Sequence, residues 1–97
     1  MTDLTRAVVR RMFADGDHLV VEALLDAECG VNLPLTDRWD EAQFERLWLA
    51  VLKLSRGDMA RLREWIVHAQ GDWRDLLVWS GFQNTLKAQQ WAKEQTT

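Results

Sequence analysis

Apolar residues recur along the chain at three- and four-residue intervals, the period of an amphipathic helix. The strongest run is Asp40–Arg56, DEAQFERLWLAVLKLSR. Phe44, Leu47, Trp48, Val51, Leu52 and Ser55 share one face of it, and Ala50 and Leu54 widen that face beyond an ordinary stripe. Only Glu45, Arg46, Leu49 and Lys53 are left as a narrow outer strip. A helix this apolar needs neighbours on several sides, so the pattern places it at the centre of the fold. Its ends are written locally. Asp40 can accept from a free N–H of the first turn, Gln43 completes a capping box, and Trp39 and Phe44 occupy the two positions of a hydrophobic staple. Lys53 and Arg56 in the last turn, with Gly57 beyond, mark the stop.

Shorter helices are predicted on either side. Thr2 caps a first one that runs to about Ala14, with Leu4, Val8 and Met12 inward, Val9 and Phe13 beside them, and Arg6 and Arg10 outward. Asp15-Gly16-Asp17 breaks the chain, and Asp17 is placed to cap the next helix, His18–Cys29. That helix is expected to bury Val20, Ala23, Leu24 and Ala27, leaving His18, Glu22 and Asp26 on the opposite ridge. Val20-Val21 also allows a strand, but no second stretch of matching length is present to pair with it. In the connection Gly30–Arg38, Pro34 pushes Leu33 towards extended backbone, and Leu33 and Leu35 are expected over the core. Gly57-Asp58 opens a helix Met59–Gln70 with the stripe Met59, Leu62, Trp65, Ile66 and Ala69. Gly71-Asp72 then separates a short helix Trp73–Ser80, closed by Gly81. Asn84 caps a last helix to Glu94 with Leu86 and Trp91 inward, and Gln95–Thr97 should fray. The expected fold is a single all-α domain over residues 1–97, a compact bundle of five to six short helices around residues 40–56.

Composition agrees with that picture. Ninety-seven residues, 47% hydrophobic and 28% charged, suit one globular domain with one core. No apolar run approaches the roughly 20 residues that span a bilayer. The N-terminal stretch MTDLTRAVVRRMF lacks the apolar region and cleavage site of a signal peptide, and Arg10-Arg11 is not followed by one either. Cys29 has no partner for an internal disulfide. A cytoplasmic protein without a membrane partner is the expectation.

Net charge is −3, which weighs against general nucleic-acid binding. Its distribution is uneven. Residues 15–37 carry Asp15, Asp17, Glu22, Asp26, Glu28 and Asp37 and no basic residue.

Few side chains present chemistry. Glu64, His68 and Asp72 form a ridge at four-residue spacing that could meet a divalent metal, but a solvated ridge of i, i+4 pairs is the better reading and Asp72 is wanted as a cap. His18 with Glu22 is a weaker pair of the same kind. Asp15-Gly16-Asp17 begins like a calcium loop, but Leu19, Val21 and Ala23 stand at ligand positions. Arg56-Gly57-Asp58 spells an adhesion tripeptide that a helix end and a cap account for. Cys29 follows Glu28 at a helix C-terminus, where the dipole opposes a thiolate, so a buried structural thiol is expected. Neither a catalytic set nor a cofactor or metal site is predicted.

Tryptophan is the unusual component, with six: Trp39, Trp48, Trp65, Trp73, Trp79 and Trp91. Trp48, Trp65 and Trp73 fall on apolar stripes and read as core. Trp79 lies beside its stripe and Trp91 in a polar tail, so both are candidate anchors for a partner. In Asp72-Trp73-Arg74-Asp75, Arg74 reads as half of a structural ion pair, held by Asp75 or a more distant acid.

The segment Asp72–Phe82, DWRDLLVWSGF, together with Gly57-Asp58 and Trp91, resembles the C-terminal part of a group of small all-helical bacterial proteins without an assigned activity. The likeness covers about the last third of the chain. It implies a bacterial cytosolic protein and brings no catalytic residue or cofactor.

The sequence therefore points to a non-catalytic module that binds another protein or itself. Its candidate surface is Arg6, Arg10, Glu22, Asp26, Trp79 and Trp91, in which the basic and acidic ridges could meet across a symmetric dimer. Nucleic-acid binding is the alternative, through the Gly57-Asp58 corner and the following Arg61 and Arg63, which the acidic balance opposes. An enzyme is the third and least supported reading.

Overall fold

A computed structural model describes residues 1–97 as an all-helical globule of 33 × 25 × 21 Å. Five helices follow in order: α1 (Asp3–Met12), α2 (His18–Glu28), α3 (Glu41–Ser55), α4 (Met59–Ser80) and α5 (Thr85–Thr96), with one 3₁₀ turn at Asp15–Asp17. The radius of gyration is 11.9 Å, close to the value of about 13 Å for a compact chain of 100 residues. No helix is long and apolar enough to cross a membrane.

The central helix forms as its local signals require. Asp40 accepts from the Gln43 N–H at 3.0 Å, and the Gln43 side chain accepts from the Asp40 N–H at 3.0 Å. Trp39 meets Phe44 edge-on with ring centroids 5.2 Å apart, the staple across the cap. α3 packs most extensively on α4 and also on α1 and α5. The outer strip read from the sequence is largely covered, with Arg46 and Lys53 only partly exposed. Leu49 is 0% exposed and Glu45 is buried, with Gln89 of α5 donating to its Oε1 at 3.2 Å. Arg46 Nε donates to the Phe82 carbonyl and Lys53 Nζ to the Ser80 carbonyl, each at 2.7 Å. These bonds tie the turn after α4 to the middle helix.

Several flanking expectations need correction. α1 ends at Met12, two residues early, with Val8, Val9 and Phe13 buried and Leu4 and Met12 only half-covered. α2 is rotated from the expected face. It buries Val21, Leu25 and the adjoining Cys29, while Val20, Ala23 and Ala27 are exposed. Two bonds hold that rotation: His18 Nε2 meets the Phe13 carbonyl at 2.8 Å, and Arg6 Nε donates to Glu22 Oε1 at 3.1 Å. Asp17 stands before α2 without a side-chain capping bond. Leu33 is buried, but Leu35 has φ +63° and is 76% exposed. On α5, which packs on α1 and α3, the small Ala88 and Ala92 face inward and Leu86 faces solvent. The last helix also continues through Gln95 to Thr96, where the Thr96 hydroxyl bonds the Ala92 carbonyl at 3.1 Å.

Gly71-Asp72 separates two helical arms within α4, as the sequence predicts. The break is at Asp72, which is non-helical at φ −152° and ψ 94°. A straight helix would carry residues 65 and 79 about 21 Å apart along its axis. The Trp65 and Trp79 ring centroids are 5.6 Å apart, so α4 bends at Asp72 towards the side that carries both indoles. Asp72 caps the second arm by accepting from the Arg74 N–H at 3.1 Å.

Candidate functional site

Two corners build the most distinctive surface. At the first, Arg56 (φ 54°) and Gly57 (φ 76°) adopt left-handed conformations in succession. A Cβ at Gly57 would stand 2.7 Å from the Met12 carbonyl oxygen, so this corner has room only for glycine. Asp58 then caps α4 by accepting from the Arg61 N–H at 2.9 Å. The second corner is the fold at Asp72. It turns the second arm of α4 away from the line of the first and brings Trp79 onto Trp65.

Between them lies a groove of about 490 Å³, bordered by Lys53, Arg56, Arg61, Glu64, Trp65 and Trp79. His68 fills the angle between the indoles, with its ring centroid 5.6 Å from Trp65 and 4.9 Å from Trp79. Its Nε2 stands 3.6 Å from Asp75 Oδ2 on the other arm. Trp79 remains 52% exposed. Lys53 is engaged by the Ser80 carbonyl and sits 5.0 Å over the Phe82 ring. Arg56 and Arg61 form no ion pair within the chain. The groove thus offers two rigid aromatic faces, two uncommitted guanidinium groups and one acid.

The residues expected at an interaction surface fall in different places. Arg6 and Glu22 bond one another within the chain, and with Asp26 they edge a shallow hollow beside Leu19 and Ala23. Arg10 is exposed beside Arg11 and Thr96. Trp91 is half-buried, with its ring 5.7 Å from Phe82. Only Trp79 belongs to the groove. Lys53, Arg56, Arg61 and Trp65 were missed as a set, yet a signal was present. Trp65 and Trp79 lie seven residues before and after Asp72, so a fold at that residue superposes them.

Trp73, expected in the core, is half-buried and donates from Nε1 to the Pro34 carbonyl at 2.7 Å, with its ring 4.5 Å from Trp39. Arg74 is exposed, and its partner is Asp72 (3.1 Å) rather than Asp75. That hydrogen bond holds the Asp72 carboxyl below its ordinary pKa and raises that of the Arg74 guanidinium.

The chemistry available is limited. No three His, Cys, Asp or Glu side chains are grouped so as to hold a metal ion, and His68 turns to Asp75 instead of joining Glu64 and Asp72. Burial, with Glu28 adding to it, pushes the Cys29 thiol up to about 12, which disfavours the nucleophilic thiolate. Its carbonyl accepts from Trp48 Nε1 at 2.9 Å, a structural bond between α2 and α3. Comparison with protein-family models, with curated proteins and with solved structures finds no match.

Proposed function

We propose that this chain is a non-catalytic helical module that binds another polypeptide through the groove of Trp65 and Trp79. The carrying observation is Trp79, half exposed yet held in place by Trp65 and His68, beside the unpaired Arg56 and Arg61. Trp and Arg dominate interface hot spots, and a pre-positioned indole loses little entropy on binding. The net basic rim favours an acidic partner. The lone buried thiol and the resemblance of DWRDLLVWSGF support a bacterial, cytoplasmic setting.

Nucleic acid is the second reading, since exposed Trp beside Arg also stacks unpaired bases. The acidic block of residues 15–37 and the net charge of −3 oppose it.

An array of acidic amphipathic peptides and single-stranded oligonucleotides, titrated against intrinsic tryptophan fluorescence, tests the reading. Saturable, salt-sensitive binding of peptides that is lost in Trp79→Ala is expected. Binding of oligonucleotides alone transfers the groove to nucleic acid, and no saturable binding of either removes the proposal.

A further inference from the structure

The outward side of α2 is an unpartnered surface of complementary character. Leu19 is 81% exposed, and Val20, Ala23 and Ala27 are exposed with it. Residues 19, 23 and 27 stand at successive four-residue steps, so they form one continuous apolar stripe. Exposed Asp15 and Asp26 flank it, and no basic residue occurs between residues 15 and 37. Glu22 is already engaged by Arg6 and Asp15 stands 3.9 Å from His18 Nε2, so it is Asp26 that forms no ion pair within the chain and is left to meet a cation.

None of these residues borders the basic groove on α3 and α4. One chain therefore carries two separate surfaces: an acidic-edged apolar helix, and a basic-edged groove floored by two indoles. An amphipathic helix laid into an apolar groove is a recurrent mode of recognition. Symmetric pairing is electrostatically poor on the groove, where it sets Arg56 and Arg61 near their own copies. On α2 it sets Asp26 near its own copy, with Arg6, already bonded to Glu22, at the edge of the same hollow. Pairing α2 with the groove instead brings opposite charges together and covers both apolar areas.

We infer that the polypeptide received by the groove is α2 of a second copy of this chain, in a head-to-tail contact that rests on the function proposed above. Leu19 and Ala23 pack on Trp79 and Trp65, and Asp26 faces Arg56 and Arg61. Because the two surfaces differ, the contact is heterologous: a pair leaves one groove and one α2 free, and association proceeds to a ring or an open chain.

Sedimentation velocity of the whole chain, over a wide concentration range and at two salt levels, tests this with two variants. Leu19→Glu disables the α2 surface, and Arg56→Glu/Arg61→Glu reverses the groove. All the altered side chains are exposed, and circular dichroism checks that each variant is folded. Wild type is expected to associate beyond a dimer and to do so at least about tenfold more weakly when salt is raised from about 20 mM to about 500 mM. Each variant alone stays monomeric at concentrations where wild type associates. Mixed in equal amounts they form a dimer and nothing larger, since only one competent groove and one competent α2 remain per pair. A mixture that stays monomeric overturns the inference, as does a variant that associates like wild type. A wild-type chain that is monomeric throughout, yet binds an acidic peptide in a manner dependent on Trp79, overturns the second copy as occupant and leaves the groove as a binding site.

Discussion

Asp40 shows how much a single residue can decide. Its carboxylate and the Gln43 amide satisfy two orphan N–H groups at the start of α3. Asp40→Ala is expected to cost about 1 kcal/mol and to lower the thermal midpoint by about 4–8 °C for a domain of this size. An unchanged melting curve shows that the cap contributes nothing. Cys29 makes a prediction with a defined sign. Its folded pKa of about 12 lies above the ordinary 9.0, so the folded state keeps its proton where the unfolded chain loses one. The associated stability is intact below about pH 9 and is lost as pH rises towards 12. The chain has no tyrosine, which leaves this thiol as a major alkaline contributor. Unfolding midpoints measured from about pH 8 to about pH 10.5 should fall less steeply in Cys29→Ala than in wild type. Parallel slopes refute the assignment.

At the scale of elements, the two glycine-aspartate corners look alike in sequence and behave differently. Gly57 has a positive φ and a neighbouring carbonyl where its Cβ would be, whereas Gly71 is helical with nothing within 4 Å. Gly57→Ala should destabilise by more than about 1 kcal/mol. Gly71→Ala should stabilise by about 0.5–1 kcal/mol, through helix propensity and a less flexible unfolded chain. Urea titration of the two variants decides, and a shift of the same sign in both contradicts this account of the corners. Element boundaries and caps were legible because they depend on residues within one turn, as at Thr2, Asp40, Asp58 and Asn84. The facing of α2 was not. Val20, Ala23, Leu24 and Ala27 make one apolar stripe, and Val21, Leu24 and Leu25 make another beside it, so periodicity alone leaves two orientations. The choice is made by partners outside the helix, Arg6 and the Phe13 carbonyl.

For the whole molecule, α5 is the element that completes the burial of α3. Leu49 and Glu45 lie on the strip of α3 that the sequence left outward, and α5 covers it. A chain ending at Gln83 should therefore expose this strip and lose cooperative unfolding, since total stability is only about 5–15 kcal/mol. A broad urea transition with dye binding is expected, and a sharp wild-type-like transition shows that α5 is dispensable. The Trp65–Trp79 groove exists at this scale alone. The sequence by itself determined the all-helical class, the central place of residues 40–56 and the caps at Thr2, Asp40, Asp58 and Asn84, because helix period and capping act between residues a few positions apart. Tertiary structure decided which side of α2 is covered, that Leu35 and Leu86 face water, and that two tryptophans fourteen residues apart share one groove. Those outcomes depend on the angle at Asp72 and on which helices lie side by side, quantities that arise only when distant segments compete for the same core.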